Sequence, residues 1–503
     1  MTNHLFSEIR AKMPAPDKTF LEAENGTRLS YADVVSLSAK YANALVELGV
    51  SPGDRVAVQV EKTPDALMLY LGTVRAGAVF LPLNTAYTPT EIDYFVTDAE
   101  PSVFVCDPAR RDALFATADK VGASLQTLDK DGQGSLRNLA SAASATFEDV
   151  ARDEDDLAAI LYTSGTTGRS KGAMLSHENL ASNARTLVQY WRFSEDDVLL
   201  HALPIFHTHG LFVATNCLLM AGGSILFLPK FDLDAMLRLL PRSTSMMGVP
   251  TFYSRLLGSP AFTRDLVAHM RLFISGSAPL SAEVHKEFSA RTGHAILERY
   301  GMTETNMNTS NPYDGDRLPG TVGFHLPGVG LRIADPHTGK ELSQGEVGII
   351  EVKGPNVFKG YWRMPEKTAE EFRVDGYFVT GDMGRIDERG YVSIVGRSKD
   401  LIITGGFNVY PAEVEALIDE VPGVAESAVI GVPHADFGEG VVAVVVAKPG
   451  ADLTAEGVIA ALSEKLARFK QPKRVHVVET LPRNTMGKIQ KNVLRDSYLD
   501  DFS

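Results

Sequence analysis

The sequence predicts an α/β fold: a large N-terminal domain followed by a small α+β domain. Three observations predict it. Short apolar runs alternate with amphipathic helical patterns up to about residue 320, as expected of largely parallel sheets covered by helices. Beyond that point the runs look antiparallel. A short charged stretch, Gly396-Arg397-Ser398-Lys399-Asp400, then precedes roughly a hundred residues with their own α+β pattern.

In chain order, residues 54–60 read as a strand, 65–76 as a helix, 78–83 as a strand, 88–99 as a helix and 102–106 as a strand. The apolar run 157–161 reads as a buried strand. Residues 176–191 read as a helix opened by Ser176 as N-cap, and 198–203, 224–228, 271–274 and 295–297 as strands. The most membrane-like segment is 211–229. Asn216, Gly222, Gly223 and Ser224 interrupt it, so it reads as a buried helix followed by a buried strand. Residues 345–353 read as an antiparallel strand, and 383–387 with 391–395 as a hairpin around Glu388-Arg389-Gly390. The last unit reads as helix 411–420, strands 425–432 and 441–447, helix 454–467 and strand 474–478. These patterns divide the chain into domains 1–396 and 397–503.

A chain of 503 residues is too long for one core. Its net charge of −14 argues against general nucleic-acid binding and against an anionic membrane surface, but leaves room for a local basic pocket. Cys106 and Cys217 lie far apart and form no metal spacing. Residues 1–14 have no signal-peptide core, and residues 499–503 carry no lipidation signal. The expectation is a reduced, cytoplasmic protein with no membrane or nucleic-acid partner.

The chemistry concentrates in five breaks after apolar runs. In Thr163-Ser164-Gly165-Thr166-Thr167-Gly168-Arg169-Ser170-Lys171, small residues let backbone N–H groups approach an anion, and Lys171 adds charge. A polyphosphate is the obvious ligand. The spacing is not that of a Walker A loop, since Lys171 follows Ser170 where that motif has Gly. A plain surface loop is the alternative. In Tyr300-Gly301-Met302-Thr303-Glu304, the ring suits a base and the carboxylate a Mg²⁺ ion. Gly276-Ser277-Ala278 ends a strand, where open α/β sheets line their ligand crevice, or else makes an ordinary turn. Asp382 suits ribose hydroxyls, or an Asp turn. Lys488 reads as exposed, inside a cluster of eight Lys/Arg against one acid between Lys465 and Lys491. His207 and His209 lack a third metal ligand nearby and read as pocket-lining.

Taken together, the loop ending at Lys171, the Tyr300–Glu304 stretch, Thr380-Gly381-Asp382, the Gly396–Asp400 segment and Pro482–Lys488 resemble the acyl-adenylate-forming superfamily in order and separation. That superfamily includes acyl-CoA synthetases, peptide-synthetase adenylation domains and luciferases. The resemblance covers nearly the whole chain. It implies an N-terminal domain of two α/β subdomains and a β-rich piece, with a mobile C-terminal domain. It implies two half-reactions. A carboxylate attacks the α-phosphate of MgATP to give an acyl-AMP and pyrophosphate; CoA then displaces AMP. By resemblance, Thr163, Ser164, Gly165, Thr166, Thr167, Gly168 and Lys171 hold phosphates. Gly276, Ser277, Ala278, Gly301, Met302 and Thr303 belong to the ATP site, and Tyr300 stacks on adenine. Glu304 binds Mg²⁺, Asp382 and Arg397 bind ribose, and Lys399 is the hinge. Lys488 touches the acid and the α-phosphate, sharing the catalytic roles with Glu304 and Thr163. Gly405, Gly406 and Phe407 are candidates for receiving CoA.

The residue before the tyrosine selects the acid. Many aryl- and fatty-acyl members have Gly there; this chain has Arg299. A cation blocks an apolar chain and calls for a second carboxylate. Its adjacency to Tyr300 favours a short dicarboxylate, and Glu298–Glu304 resembles malonyl-CoA synthetases in particular. The expected reaction is malonate, ATP and CoA to malonyl-CoA, AMP and pyrophosphate, with methylmalonate as a second acid. His207 and Ser277 would close the pocket. Alternatives stay open. Arg299 pairs with Glu298 or another acid and faces away; the acid is a different one; the protein is luciferase-like; or it is a peptide-synthetase-type adenylating protein, although Phe206 is followed by His207 rather than the usual Asp. A lysine acetyltransferase acting on Lys488 is a further expected partner.

Overall fold

The structure, a computed structural model, describes residues 2–163, 170–463, 465–484 and 487–502. Three sheets build the N-terminal α/β domain and a fourth builds the smaller α+β C-terminal domain. The first is six-stranded, in the order Ser124–Thr127, Val103–Cys106, Arg55–Gln59, Val79–Pro82, Leu157–Thr163, Lys171–Ser176. Its strands run parallel except the last two, which pair antiparallel with Thr163 opposite Lys171. Val103–Cys106 and Val79–Pro82 are buried throughout, as strands covered on both faces must be.

The second sheet has nine strands, and its central strands run parallel. Leu272–Ser275 pairs with Leu297–Met302, which in turn pairs antiparallel with Asn306–Ser310. Capping explains where the helices between these strands begin. Ser176 accepts from the Asn179 N–H while Asn179 caps back, opening His177–Tyr190; Thr63 caps Pro64–Arg75, whose proline sits where a missing N–H costs nothing. Segment 211–229 is largely buried up to Leu228, as a π-helical turn His209–Thr215, a helix Asn216–Ala221 and a strand Ser224–Phe227. No helix among the described residues is long and apolar enough to cross a membrane.

A four-stranded antiparallel sheet follows: Gly330–Ala334, Gly348–Lys353, Phe378–Ile386, Val392–Arg397. The 3₁₀ turn Ser398–Asp400 leads to the C-terminal sheet, whose long strands Val424–His434 and Gly438–Ala447 bury apolar residues on both faces.

Three local expectations change. The strand expected at 295–297 runs on as Leu297–Met302, so Tyr300 and Gly301 lie on it rather than in a loop after it. Asp382 likewise lies within Phe378–Ile386. The helix expected at 454–467 is Ala455–Leu462; Ser463 Oγ donates to the Ala460 carbonyl (2.7 Å), a local bond that competes with helix continuation.

Candidate active site

The carboxyl ends of the parallel strands in the nine-stranded sheet carry most of the site, where open α/β sheets place their ligands. Strand alternation divides the work there. Successive side chains on Leu297–Met302 point to opposite faces, so Tyr300 and Arg299 serve different compartments.

Tyr300 is buried, and its hydroxyl donates to Asp382 Oδ2 (2.6 Å). Arg397 lies directly across the ladder from Asp382, with Nε 2.9 Å from Oδ1. Thr380 Oγ1 accepts from the Asp382 N–H (3.1 Å). Burial and the adjacent carboxylate push the Tyr300 phenol up, so it stays a neutral donor; Asp382 holds the Arg397 guanidinium above its ordinary value. Gly301 serves the backbone: a Cβ there would lie 1.8 Å from the Asn306 carbonyl, where the ladder slips register. Met302 and Thr303 are half-buried beyond it.

Glu304 follows in the turn, buried, with Oε1 3.1 Å from the Tyr361 hydroxyl oxygen. The same hydroxyl lies 2.7 Å from Glu371 Oε2, and Glu371 Oε1 is 2.8 Å from Lys171 Nζ. Lys171 also sits over the Tyr361 ring, 4.0 Å from its centroid. Thr163 Oγ1 donates to the Lys171 carbonyl (3.4 Å). Ser164, Gly165, Thr166, Thr167 and Gly168 lie outside the described residues.

On the other face Arg299 is 4% exposed, and its Nε and Nη2 have no hydrogen-bond partner among the described residues. Burial lowers its pKa to about 9. Its guanidinium rests on Gly276, where a Cβ would lie 2.3 Å from Cζ. Glu298 does not pair with it: alternation turns that side chain to the opposite face, and burial raises its carboxyl to about 8. Ser277 takes a left-handed backbone (φ 72°), which brings its Oγ to 3.1 Å from His209 Nδ1. His209 is buried with Nε2 unpartnered among the described residues. His207 Nδ1 accepts from the His209 N–H (3.3 Å); burial, then the charges of Lys488 and Arg299, lower its pKa to about 3. Ala278 is half-buried beside this group. Tyr253, whose hydroxyl donates to the Ile274 carbonyl (2.5 Å), faces the same cation.

Lys488 is exposed and carries its charge towards the site. Desolvation, together with Arg397 and Arg299, lowers its pKa, while Asp382 and Glu304 oppose the shift. Its exposure is as the sequence leads one to expect, and it also lies within electrostatic reach of Arg397, Asp382, Glu304 and Arg299. Arg483 fixes the loop by donating to the Gly487 carbonyl (2.5 Å) and pairing with Glu426. Gly405 and Gly406, both with positive φ, make a tight turn ahead of Phe407, which is exposed and stacks on Phe469 (4.7 Å). Lys399 is exposed in its 3₁₀ turn, beside Asp400, which pairs with Arg495.

Metal ligands cluster in threes at one place among the described residues, His4, Glu8 and Glu178, and Arg185 already pairs with both carboxylates. His207 and His209 are not part of such a cluster. A lone buried Glu304 beside a cation that could hold phosphate fits Mg²⁺, which takes one or two carboxylates and completes its shell with phosphate oxygens and water.

Tyr361, Glu371 and Tyr253 carry no signal in the sequence that places them in the site. All three sit in unremarkable patterns, whereas His209, two residues after His207, is legible as pocket-lining.

Residues 8–362 match the AMP-binding enzyme family and residues 413–488 the AMP-binding enzyme C-terminal domain. The chain is 64% identical to MatB from Rhodopseudomonas palustris over 100% of both chains. The TM-score is 0.98 against that protein's ATP-bound crystal structure and 0.88 against its apo structure. It is 34% identical to the malonate–CoA ligase of Arabidopsis thaliana, over 99% of this chain and 91% of that one.

Proposed function

The chain belongs to the AMP-binding enzyme family, and we propose that it is a malonate–CoA ligase, activating malonate as malonyl-adenylate and transferring it to CoA. The observation that carries the acid is Arg299, a buried guanidinium with two nitrogens unpartnered among the described residues. Buried donors without acceptors are costly, and a carboxylate accepting both repays that cost. An apolar acyl chain leaves them unpaired. His207 and His209, near neutral pH uncharged, line the pocket without adding repulsion or charge of their own.

In this reading Arg299 anchors the far carboxylate and thereby aims the near one at the α-phosphate. Tyr300, Asp382 and Arg397 hold the nucleoside, and Lys171 with the loop before it holds the leaving pyrophosphate. Lys488 meets the charge where carboxylate and phosphate, both anionic, must approach. Glu304 would hold Mg²⁺, which supplies neutralisation of the phosphate charge when bound. The hinge at Lys399 and the domain division near Gly396 suit a C-terminal domain that rotates between half-reactions, bringing Gly405-Gly406-Phe407 to the CoA path. Acylation of Lys488 by an acetyltransferase would cancel its charge, and its exposure leaves it open to such a partner. Two buried, free cysteines favour the cytoplasm.

Pyrophosphate release across acetate, butyrate, malonate, methylmalonate, succinate and coumarate tests the reading. Malonate leads, with methylmalonate second; equal turnover of butyrate rejects it. Arg299→Ala raises the malonate KM about 100-fold, the cost of leaving a buried charge unpaired, with the ATP KM unchanged.

A further inference from the structure

We propose that Glu371 is a positioning residue that couples Lys171 to Glu304 through the Tyr361 hydroxyl, leaving Glu304 free to receive the metal that accompanies ATP. The proposal rests on the reading of Lys171 as a phosphate contact and Glu304 as the metal ligand. Glu371 ends the helix Pro365–Glu371. One carboxylate oxygen takes Lys171 (2.8 Å) and Lys367 (3.2 Å), and the other faces the Tyr361 hydroxyl.

That hydroxyl has one proton and two carboxylates to serve. Glu371 lies at 2.7 Å and Glu304 at 3.1 Å, so the shorter bond claims the proton. Glu304 Oε1 then faces the oxygen of Tyr361 rather than its hydrogen, and an approaching cation does not compete with that proton. Lys171 reinforces the arrangement by fixing Glu371 from the far side while lying on the Tyr361 ring. Removing the Glu371 charge hands the proton to Glu304 and frees Lys171. The two effects have opposite signs for ATP: metal-dependent binding weakens, whereas metal-free binding, now facing an unpaired lysine, does not.

Calorimetric titration of ATP into the full chain, with excess Mg²⁺ and separately with EDTA, reads the ratio of the two affinities without turnover. Glu371→Gln is expected to lower that ratio about tenfold, as losing the partner of a metal ligand does. The same substitution in a Tyr361→Phe background, which keeps the ring under Lys171, is expected to add nothing, because the relay is already cut. If Glu304→Gln collapses the ratio while Glu371→Gln leaves it at wild type, the proposal is overturned and the metal reading stands. If Glu304→Gln itself leaves the ratio unchanged, both fall. A lowered Tm with an unchanged ratio marks a merely structural Glu371 and also overturns the proposal.

Discussion

The guanidinium of Arg299 rests on the bare Cα of Gly276, so the acid pocket depends on an atom that is missing as much as on the charge present. A methyl group at Gly276 must push the guanidinium aside, since its neighbours there are Cζ, Nη1 and Nε, all within 2.5 Å. A side-chain terminus can yield where backbone could not, so Gly276→Ala should fold with a Tm near wild type. It should nevertheless misplace the far carboxylate and raise the malonate KM roughly 10- to 100-fold, the scale of a displacement near 1 Å. Steady-state kinetics with malonate and ATP varied separately checks this; a raised ATP KM with malonate unaffected would contradict it. Gly276 was readable from sequence as part of a ligand-lining turn, and Arg299 as an anomalous cation. Their contact was not, because it joins neighbouring strands. The Lys171–Glu371 pair was further out of reach: it spans 200 residues and ends in a helix with no buried residue. Residues whose role lies in a break after an apolar strand announce themselves. Residues whose role lies in a distant partner do not.

Among the elements, the π-helical turn His209–Thr215 brings His209 to the pocket, and a buried chain pins its start. Lys62 Nζ lies 2.9 Å from His201 Nδ1 and 2.8 Å from the His201 carbonyl, above the Phe227 ring. His201 Nε2 is 2.8 Å from the Gly210 carbonyl, which fixes the tautomer: Nε2 donates and Nδ1 accepts from Lys62. A side chain at Gly210 would meet the Pro204 carbonyl at 2.1 Å, so the turn needs its glycine. Burial lowers the Lys62 pKa well below the ordinary lysine value. A lysine with a lower folded than unfolded pKa binds fewer protons in the native state, so its contribution to stability grows as pH rises between the two values. Lys62→Met removes that slope and orphans one acceptor, His201 Nδ1, since the His201 carbonyl also accepts from the Leu228 N–H (3.0 Å). Denaturant melts should therefore place wild type above the variant by about 1–3 kcal/mol near pH 10, with the gap shrinking towards neutrality. A gap independent of pH would show that Lys62 stays charged. The elements themselves were legible because apolar runs and caps mark them; what escaped was their extent. Leu297–Met302 and Phe378–Ile386 carry polar site residues on strands, where polarity alone suggested loops.

For the whole molecule the question is what the C-terminal domain does in this arrangement. It resembles the ATP-bound relative more than the apo one, 0.98 against 0.88. Lys448 pairs with Glu283 across the domain boundary (2.7 Å), and Lys488 enters a field set by Arg397, Asp382, Glu304 and Arg299. A charge delivered by a separate domain can serve one half-reaction and be withdrawn for the other. Lys488→Ala should thus lower malonate-dependent pyrophosphate release roughly 100- to 1,000-fold, the scale of losing a charge aimed at a transition state, while conversion of preformed malonyl-adenylate and CoA to thioester is spared. The cleft adds a pH signature. Adenylation needs the cation, and desolvation has lowered the Lys488 pKa, so the rate of pyrophosphate release should fall with rising pH before ordinary lysines titrate at about 10.4. Lys488→Arg, slower at neutral pH because a planar fork replaces a point charge, should keep its charge and move that alkaline limb upward. Thioester formation from malonyl-adenylate should lack the limb in both proteins. Single-turnover profiles of the two half-reactions separate these outcomes, and an identical alkaline limb in wild type and Lys488→Arg would assign it to another group.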